Sequence, residues 1–167
     1  MNVAIVHDIV SDADAPDARD VIIQADAVSQ ALETLGHCIT RIAATLDLAA
    51  VNKALLQHEI DMVFNLVESV NGKGRLIHLL PFCLDAIPMP YTGTRAEAMM
   101  LTSNKIMAKR WMSAAGILTP AWIGPWPGID EFIPERASRK TTWIIKSVWE
   151  HASIGIGPHS LIKNIGS

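Results

Sequence analysis

A layered α/β fold around a parallel sheet is predicted here by three features of the sequence. Short apolar runs alternate with longer stretches of helical periodicity. The third apolar run is almost free of polar residues, as a strand covered on both faces should be. Glycines and prolines stand at the joints between these segments rather than inside them.

The first strand is read at Val3 to Val6, and a polar loop rich in Asp and Ala follows it. Val21, Ala25, Val28, Ala31, Leu32 and Leu35 then recur at helical spacing, and Gly36 supplies a natural stop. Cys38 to Ile42 forms a second strand candidate. Leu48, Val51 and Leu55 mark the next amphipathic helix, capped by Thr45 or Asp47. Met62-Val63-Phe64-Asn65-Leu66-Val67 is the third strand, and Asn71-Gly72-Lys73-Gly74 is a glycine-containing loop after it. A helix should follow, with Leu76, Leu79, Leu80, Cys83 and Leu84 on one face. Pro88 and Pro90 frame an extended piece ending at Tyr91-Thr92-Gly93. Two successive strand–helix–strand units imply right-handed crossovers and a small Rossmann-like, three-layer domain over residues 1–93.

From residue 94 the character changes. Helical stretches are read at Ala96 to Leu101 and Asn104 to Ala115, the second ending at Gly116. Pro120 opens an extended segment, and Gly124 to Pro134 reads as a connector rich in Gly, Pro and Trp. Trp143-Ile144-Ile145-Lys146 is a strand candidate and Ser147 to Gly157 a loop. Leu161 to Ser167 completes no pattern, so residues 94–167 are expected to be an incomplete region that continues in the parent protein.

Composition narrows the function. Of 167 residues, 50% are hydrophobic and 19% charged, which supports a sizeable core and argues against disorder. The net charge of −3 and the lack of a long basic run leave no electrostatic basis for nucleic-acid binding. No apolar run approaches the length of a membrane span, and the first residues read as a strand rather than a secretory signal. Cys38 and Cys83 each lie in an apolar periodic segment without a neighbouring Cys or His, so two buried thiols in a reducing cytoplasm are expected.

Three constellations carry chemistry. Phe64-Asn65-Leu66-Val67-Glu68 followed by Gly72-Lys73-Gly74 places polar groups and backbone N–H donors beyond the carboxyl end of a strand. Ligands of open α/β sheets bind there; a glycine-adapted turn with a surface carboxylate is the plainer alternative. Thr102-Ser103-Asn104-Lys105 opens a helix that Ser103 or Asn104 can cap. A lysine in that first turn opposes the macrodipole, a mismatch that a bound phosphate would offset; a solvated lysine is the alternative. Trp143-Ile144-Ile145-Lys146, followed by Glu150-His151-Ala152-Ser153-Ile154-Gly155, ends an apolar strand in a cation. The small-residue loop after it suits phosphate oxygens.

Taken in order, Pro90-Tyr91-Thr92-Gly93-Thr94, Asn104-Lys105, Ala114-Ala115-Gly116-Ile117-Leu118-Thr119-Pro120 and Ile144-Ile145-Lys146 resemble the D-alanine–D-alanine ligases and their ATP-grasp relatives over roughly residues 60–156. In that family a "PYTG" turn ends the first domain, a "DK" pair opens a helix, "AAG-x-x-[TP]-P" ends it, and "[VI]-[VI]-K-P" begins the nucleotide lid. The resemblance implies a pre-ATP-grasp substrate domain at 1–93 and the start of an ATP-grasp nucleotide-binding region at 94–167. It implies ATP-dependent joining of a carboxylate to an amine through an acyl phosphate, with Mg2+ whose ligands are expected outside this chain. Lys105, Lys146, Ser153, Ile154 and Gly155 are the implied ATP-binding residues, and Glu68 and Gly74 fall in the substrate loop. The implied partners are ATP and a small amino acid or peptide, with a homodimer open. The implied setting is cytoplasmic peptidoglycan biosynthesis.

The family's "HG" pair is Val67-Glu68 here, its "EGSSVG" loop is Glu150 to Gly155, and its "SxEREVS" string is Ser11-Asp12-Ala13-Asp14-Ala15. A relative joining other amino acids or peptides fits these departures as well. Without the family's later magnesium and adenine residues, residues 1–167 alone are not expected to turn over. A non-catalytic small-ligand or protein-interaction module is the alternative from another class. A nucleotide-dependent oxidoreductase lacks its G-x-G-x-x-G, because His7-Asp8-Ile9-Val10 follows the first strand.

Overall fold

The computed structural model describes residues 1–10, 19–124, 142–151 and 155–163. The expectations placed on Ser11 to Ala15, on most of the Gly124 to Pro134 connector, on Ser153 and Ile154, and on 164–167 lie outside these residues. The chain forms two compact units, Met1–Ser103 and Asn104–Ser167.

The first unit is built on a parallel sheet of three strands in the order β2-β1-β3, with β1 at Asn2–Asp8, β2 at Cys38–Ala44 and β3 at Met62–Asn65. Ile5 pairs with Arg41 on one side and with Phe64 on the other. Val3, Ala4, Ile5 and Val6 are all buried, so the middle strand is covered on both faces. Helix α1 (Asp20–Thr34) packs on β1 and β2. Helices α2 (Leu48–Gln57) and α3 (Leu79–Ala86) pack on each other, and their Val51, Leu55, Leu80 and Leu84 share one core cluster with Ala4, Val6 and Ile42. Because side chains alternate along a strand, Val3 and Ile5 point to the opposite face from Ala4 and Val6. Three layers result, as the sequence pattern predicts. After Pro90 the chain adds to the sheet: the Val63 N–H donates to the Pro90 carbonyl at 2.9 Å and the Thr92 N–H to the Val63 carbonyl at 3.0 Å. Helix α4 (Ala96–Ser103) packs on α3.

Local chemistry sets where these helices begin and end. Asp47 is the α2 cap, accepting from the Ala50 N–H at 3.0 Å, while Thr45 Oγ1 accepts from the Asp47 N–H. Helix α1 closes on Gly36 at φ +83°, with the Gly36 N–H bonded to Glu33 and the His37 N–H to Leu32. Helix α2 closes the same way on Glu59, at φ +49°, where a side chain is disfavoured. Asn71 (φ +53°) and Gly72 (φ +66°) turn the chain between the paired Val70 and Lys73, as a two-residue reversal with both centres left-handed requires.

The second unit contains α5 (Lys105–Ala114) and an antiparallel pair, β4 (Thr142–Ile144) with β5 (Leu161–Lys163). Strand β5 departs from the sequence pattern, in which Leu161 to Ser167 completes nothing: Leu161 pairs with Ile144. Helix α5 ends on Gly116 at φ +72°, with the Ile117 N–H donating to Met112 at 2.8 Å.

Both cysteines are free, but only Cys83 is partly buried; its thiol donates to Asn52 Oδ1 at 3.0 Å. Cys38 is exposed because it opens β2, which has a strand on one side only. Among the described residues, no helix is long and apolar enough to cross a membrane.

The turn and core residues make opposite predictions. Replacing Glu59 with Gly should raise unfolding stability by about 0.5–1 kcal/mol, since it removes the cost of a side chain at positive φ. Leu80→Ala should lower it by about 2–5 kcal/mol through the cavity left behind. Urea titration of the three proteins checks both; a destabilised Glu59→Gly would contradict the assigned turn.

Candidate functional site

Each unit carries one polar constellation. In the first, the sheet order matters. The chain steps from β1 to β2 on one side and to β3 on the other, so the carboxyl ends of β1 and β3 flank a topological switch point. Asp8 ends β1 there. Its carboxylate accepts from the Glu68 N–H at 2.9 Å and from the Ser69 hydroxyl at 2.6 Å, across 60 and 61 residues of sequence. The Leu66 N–H donates to the Val6 carbonyl at 2.8 Å, carrying the sheet pairing past the end of β3. Asn65 Oδ1 accepts from the Val67 N–H, and the Asn65 N–H donates to Thr92 Oγ1, both at 3.0 Å. With its backbone held this way, Glu68 is exposed while Val67 and Val70 on either side are buried. Gly74 is buried at the start of a short 3-10 turn, Gly74–Leu76.

The turn before α4 is also tied down. The Tyr91 hydroxyl donates to Asp85 Oδ1 at 2.9 Å, and the other Asp85 oxygen lies 3.4 Å from the Ala96 N–H. Burial first, then the bond to Asp85, raises the Tyr91 pKa above its ordinary 10.0.

In the second unit Asn104 is the helix cap, accepting from the Ile106 and Met107 N–H groups at 3.0 Å. Ser103 is not the cap; it is buried with its hydroxyl bonded to Met99. The capped end positions Lys105, whose N–H donates to the Val148 carbonyl at 3.0 Å and whose Nζ donates to the Glu150 carbonyl at 2.5 Å. The segment reaches α5 because Ser147 Oγ accepts from the Trp149 and Glu150 N–H groups, bending the chain just after Lys146. The Lys105 ammonium is held below its usual 10.5 by burial first and by the Lys146 charge second, with Glu150 opposing them.

Lys109, by contrast, donates to Thr119 Oγ1 at 2.7 Å and to the Pro120 carbonyl at 3.0 Å, tying the chain after α5 back to the helix. Gly155 is exposed at φ +76°; Ser153 and Ile154 lie outside the described residues. Trp143 Nε1 and His151 Nε2 are buried without a hydrogen-bond partner among the described residues. Among the described residues, no group of three or more His, Cys, Asp or Glu side chains converges as metal ligands.

Of the sequence-predicted site residues, Lys105 and Lys146 lie in the second unit, where the Lys146 charge lowers the Lys105 pKa. Glu68 and Gly74 lie in one loop with Glu68 exposed and Gly74 buried. Asp8 and Ser147 were not singled out. A lone Asp after a strand carries no local signature, and Ser147 shows its role only through the bend it makes.

No protein-family model matches the chain. It is 33% identical to the D-alanine–D-alanine ligase of Gloeobacter violaceus over 115 residues, 68% of this chain and 36% of that protein. It is 37% identical to the enzyme of that name from Moorella thermoacetica over 101 residues, 59% of this chain and 31% of that protein. The crystal structure of the Bacillus anthracis D-alanine–D-alanine ligase superposes with a TM-score of 0.72 at 17% identity, covering 99% of this chain and 50% of that one. A second structure of that enzyme, complexed with ATP, gives 0.65 at 18% identity, covering 90% and 48%. The structural likeness shows the fold. The sequence matches make the chain a relative of the D-alanine–D-alanine ligases, of the ATP-grasp type, over part of its length. It spans about a third of the length of these curated relatives.

The lysine pair predicts its own titration. Lys146→Ala should raise the Lys105 pKa toward 10.5 without reaching it, because burial remains the larger cause. Glu150→Gln should lower it further. Carbon-13 NMR of the labelled lysine ε-carbons reads both; a Lys105 pKa unmoved by Lys146→Ala would contradict the proximity.

Proposed function

We propose that this chain is part of an ATP-dependent carboxylate–amine ligase, in which Lys105 and Lys146 hold the phosphates of ATP. The observation that supports this reading is a lysine at a capped helix start whose ammonium form is disfavoured by burial and by the Lys146 charge. Like charges destabilise one another unless an anion lies between them, and a phosphate chain supplies that anion at two points. Lysine suits the role as a compact donor on a flexible stem. The curated relatives are ligases, and one solved relative holds ATP.

In the reaction proposed, a carboxylate oxygen attacks the γ-phosphorus and ADP leaves. An amine then attacks the acyl carbon, phosphate departs, and an amide forms with loss of a proton. Lys105 and Lys146 offset the charge that develops on the transferring phosphoryl group. Ser153, Ile154 and Gly155 belong to the loop assigned to the phosphates, and Mg2+ is the expected counter-ion. Residues 1–93 are assigned to the substrate, with Glu68 and Gly74 in its loop, and residues from 94 onward to the nucleotide. The names of the relatives point to D-alanine as substrate; another small amino acid or peptide, and a place in cytoplasmic peptidoglycan biosynthesis, belong to the same proposal.

Calorimetry with ATP and Mg2+ tests the assignment. Binding should be present in the unsubstituted chain and weakened roughly 10- to 100-fold by Lys105→Ala or Lys146→Ala, the scale of one charge-assisted hydrogen bond. Affinity should also fall as pH rises toward 10.5, because the depressed Lys105 loses its proton earlier than a free lysine. ATP binding indifferent to both substitutions would overturn the assignment.

A further inference from the structure

We propose that Asp8 is a positioning residue that sets the substrate loop through the Glu68 backbone and the Ser69 side chain. This rests on the reading of that loop as substrate-binding. Asp8 is the last residue of β1, a strand buried on both faces, so its Cα is anchored by the most enclosed element of the unit. Its two carboxylate oxygens go to two successive residues of the loop: one to the Glu68 N–H at 2.9 Å, the other to the Ser69 hydroxyl at 2.6 Å. A carboxylate accepting from two adjacent residues fixes both the height and the rotation of the backbone between them.

The rest of the loop explains why that grip matters. Val67 and Val70 are buried, and Asn71-Gly72 reverses the chain immediately after them. Between these two anchors lie only Glu68 and Ser69, and both are bonded to Asp8. The exposed Glu68 side chain therefore leaves the backbone at a point defined by Asp8, beside the crevice where sheets of this topology take ligands. Without Asp8 the Glu68 N–H has no acceptor and the carboxylate samples many positions.

The substitutions separate this role from simple support. Asp8→Asn keeps both contacts, because the amide oxygen accepts from Glu68 and the amide nitrogen donates to the rotatable Ser69 hydroxyl. Asp8→Ala loses both, and Ser69→Ala loses one without touching β1. Amide exchange and D-alanine titration, both followed by nitrogen-15 NMR beside thermal melting of each protein, form the test. The Glu68 amide should be protected in the unsubstituted chain and in Asp8→Asn, and should exchange freely in Asp8→Ala. D-alanine should perturb Glu68 to Val70, with affinity reduced roughly tenfold in Asp8→Ala, less in Ser69→Ala, and restored in Asp8→Asn. Equal D-alanine affinity in all four proteins would overturn the inference and leave the substrate reading standing. No perturbation of Glu68 to Val70 in the unsubstituted chain would overturn the substrate reading and the inference with it.

Discussion

Val3, Ala4, Ile5 and Val6 run through the centre of the first unit with water on neither face, and that enclosure dictates most of what surrounds them. A strand with two apolar faces needs cover on both, so α1 lies over one face and α2 with α3 over the other. Parallel pairing on both edges then requires that the chain leave β1 for β2 on one side and come back to β3 on the other. The carboxyl ends of β1 and β3 are left as neighbours whose connections depart in opposite directions. That opening is where a polar residue at the end of the buried strand meets the loop after β3. The Asp8 contacts to Glu68 and Ser69 are thus a consequence of the core, not an ornament on it.

The second unit follows a different constraint. A helix start favours negative charge, yet Lys105 stands in the first turn of α5. Two bonds to the segment after β4 compensate locally, one from the Lys105 N–H and one from its ammonium group. The same bend that supplies those carbonyls carries Lys146, which works against Lys105. Burial and a second positive charge thus both oppose the ammonium form of Lys105. Under the proposed function, a chain of phosphates satisfies both lysines at once.

Legibility in the sequence tracked how local each cause is. Gly36 and Gly116 end helices through their own backbone freedom, and Asn71-Gly72 makes a turn of its own, so all three were readable in place. The alternation of strands and helices was readable because burial on two faces imposes composition as well as pattern. The choices between Thr45 and Asp47, and between Ser103 and Asn104, needed coordinates, since each pair offers chemically equivalent caps. Strand β5 was invisible because three residues hold no periodicity and its partner β4 is itself only three residues long. Asp8 was invisible because its meaning lies 60 residues away. The grouping of Lys105 with Lys146 came from motif resemblance, not from spacing, because neither lysine carries a local signature of the other.

Everything proposed about nucleotide chemistry turns on whether those two ammonium groups meet the same phosphate chain. Amine acylation footprinting, read by mass spectrometry with and without ATP and Mg2+, addresses that directly. The account predicts that ATP slows modification of Lys105 and Lys146 together while leaving the exposed Lys53 and Lys73 of the first unit unchanged. Equal modification of all four lysines at saturating ATP, or protection confined to the first unit, would contradict it.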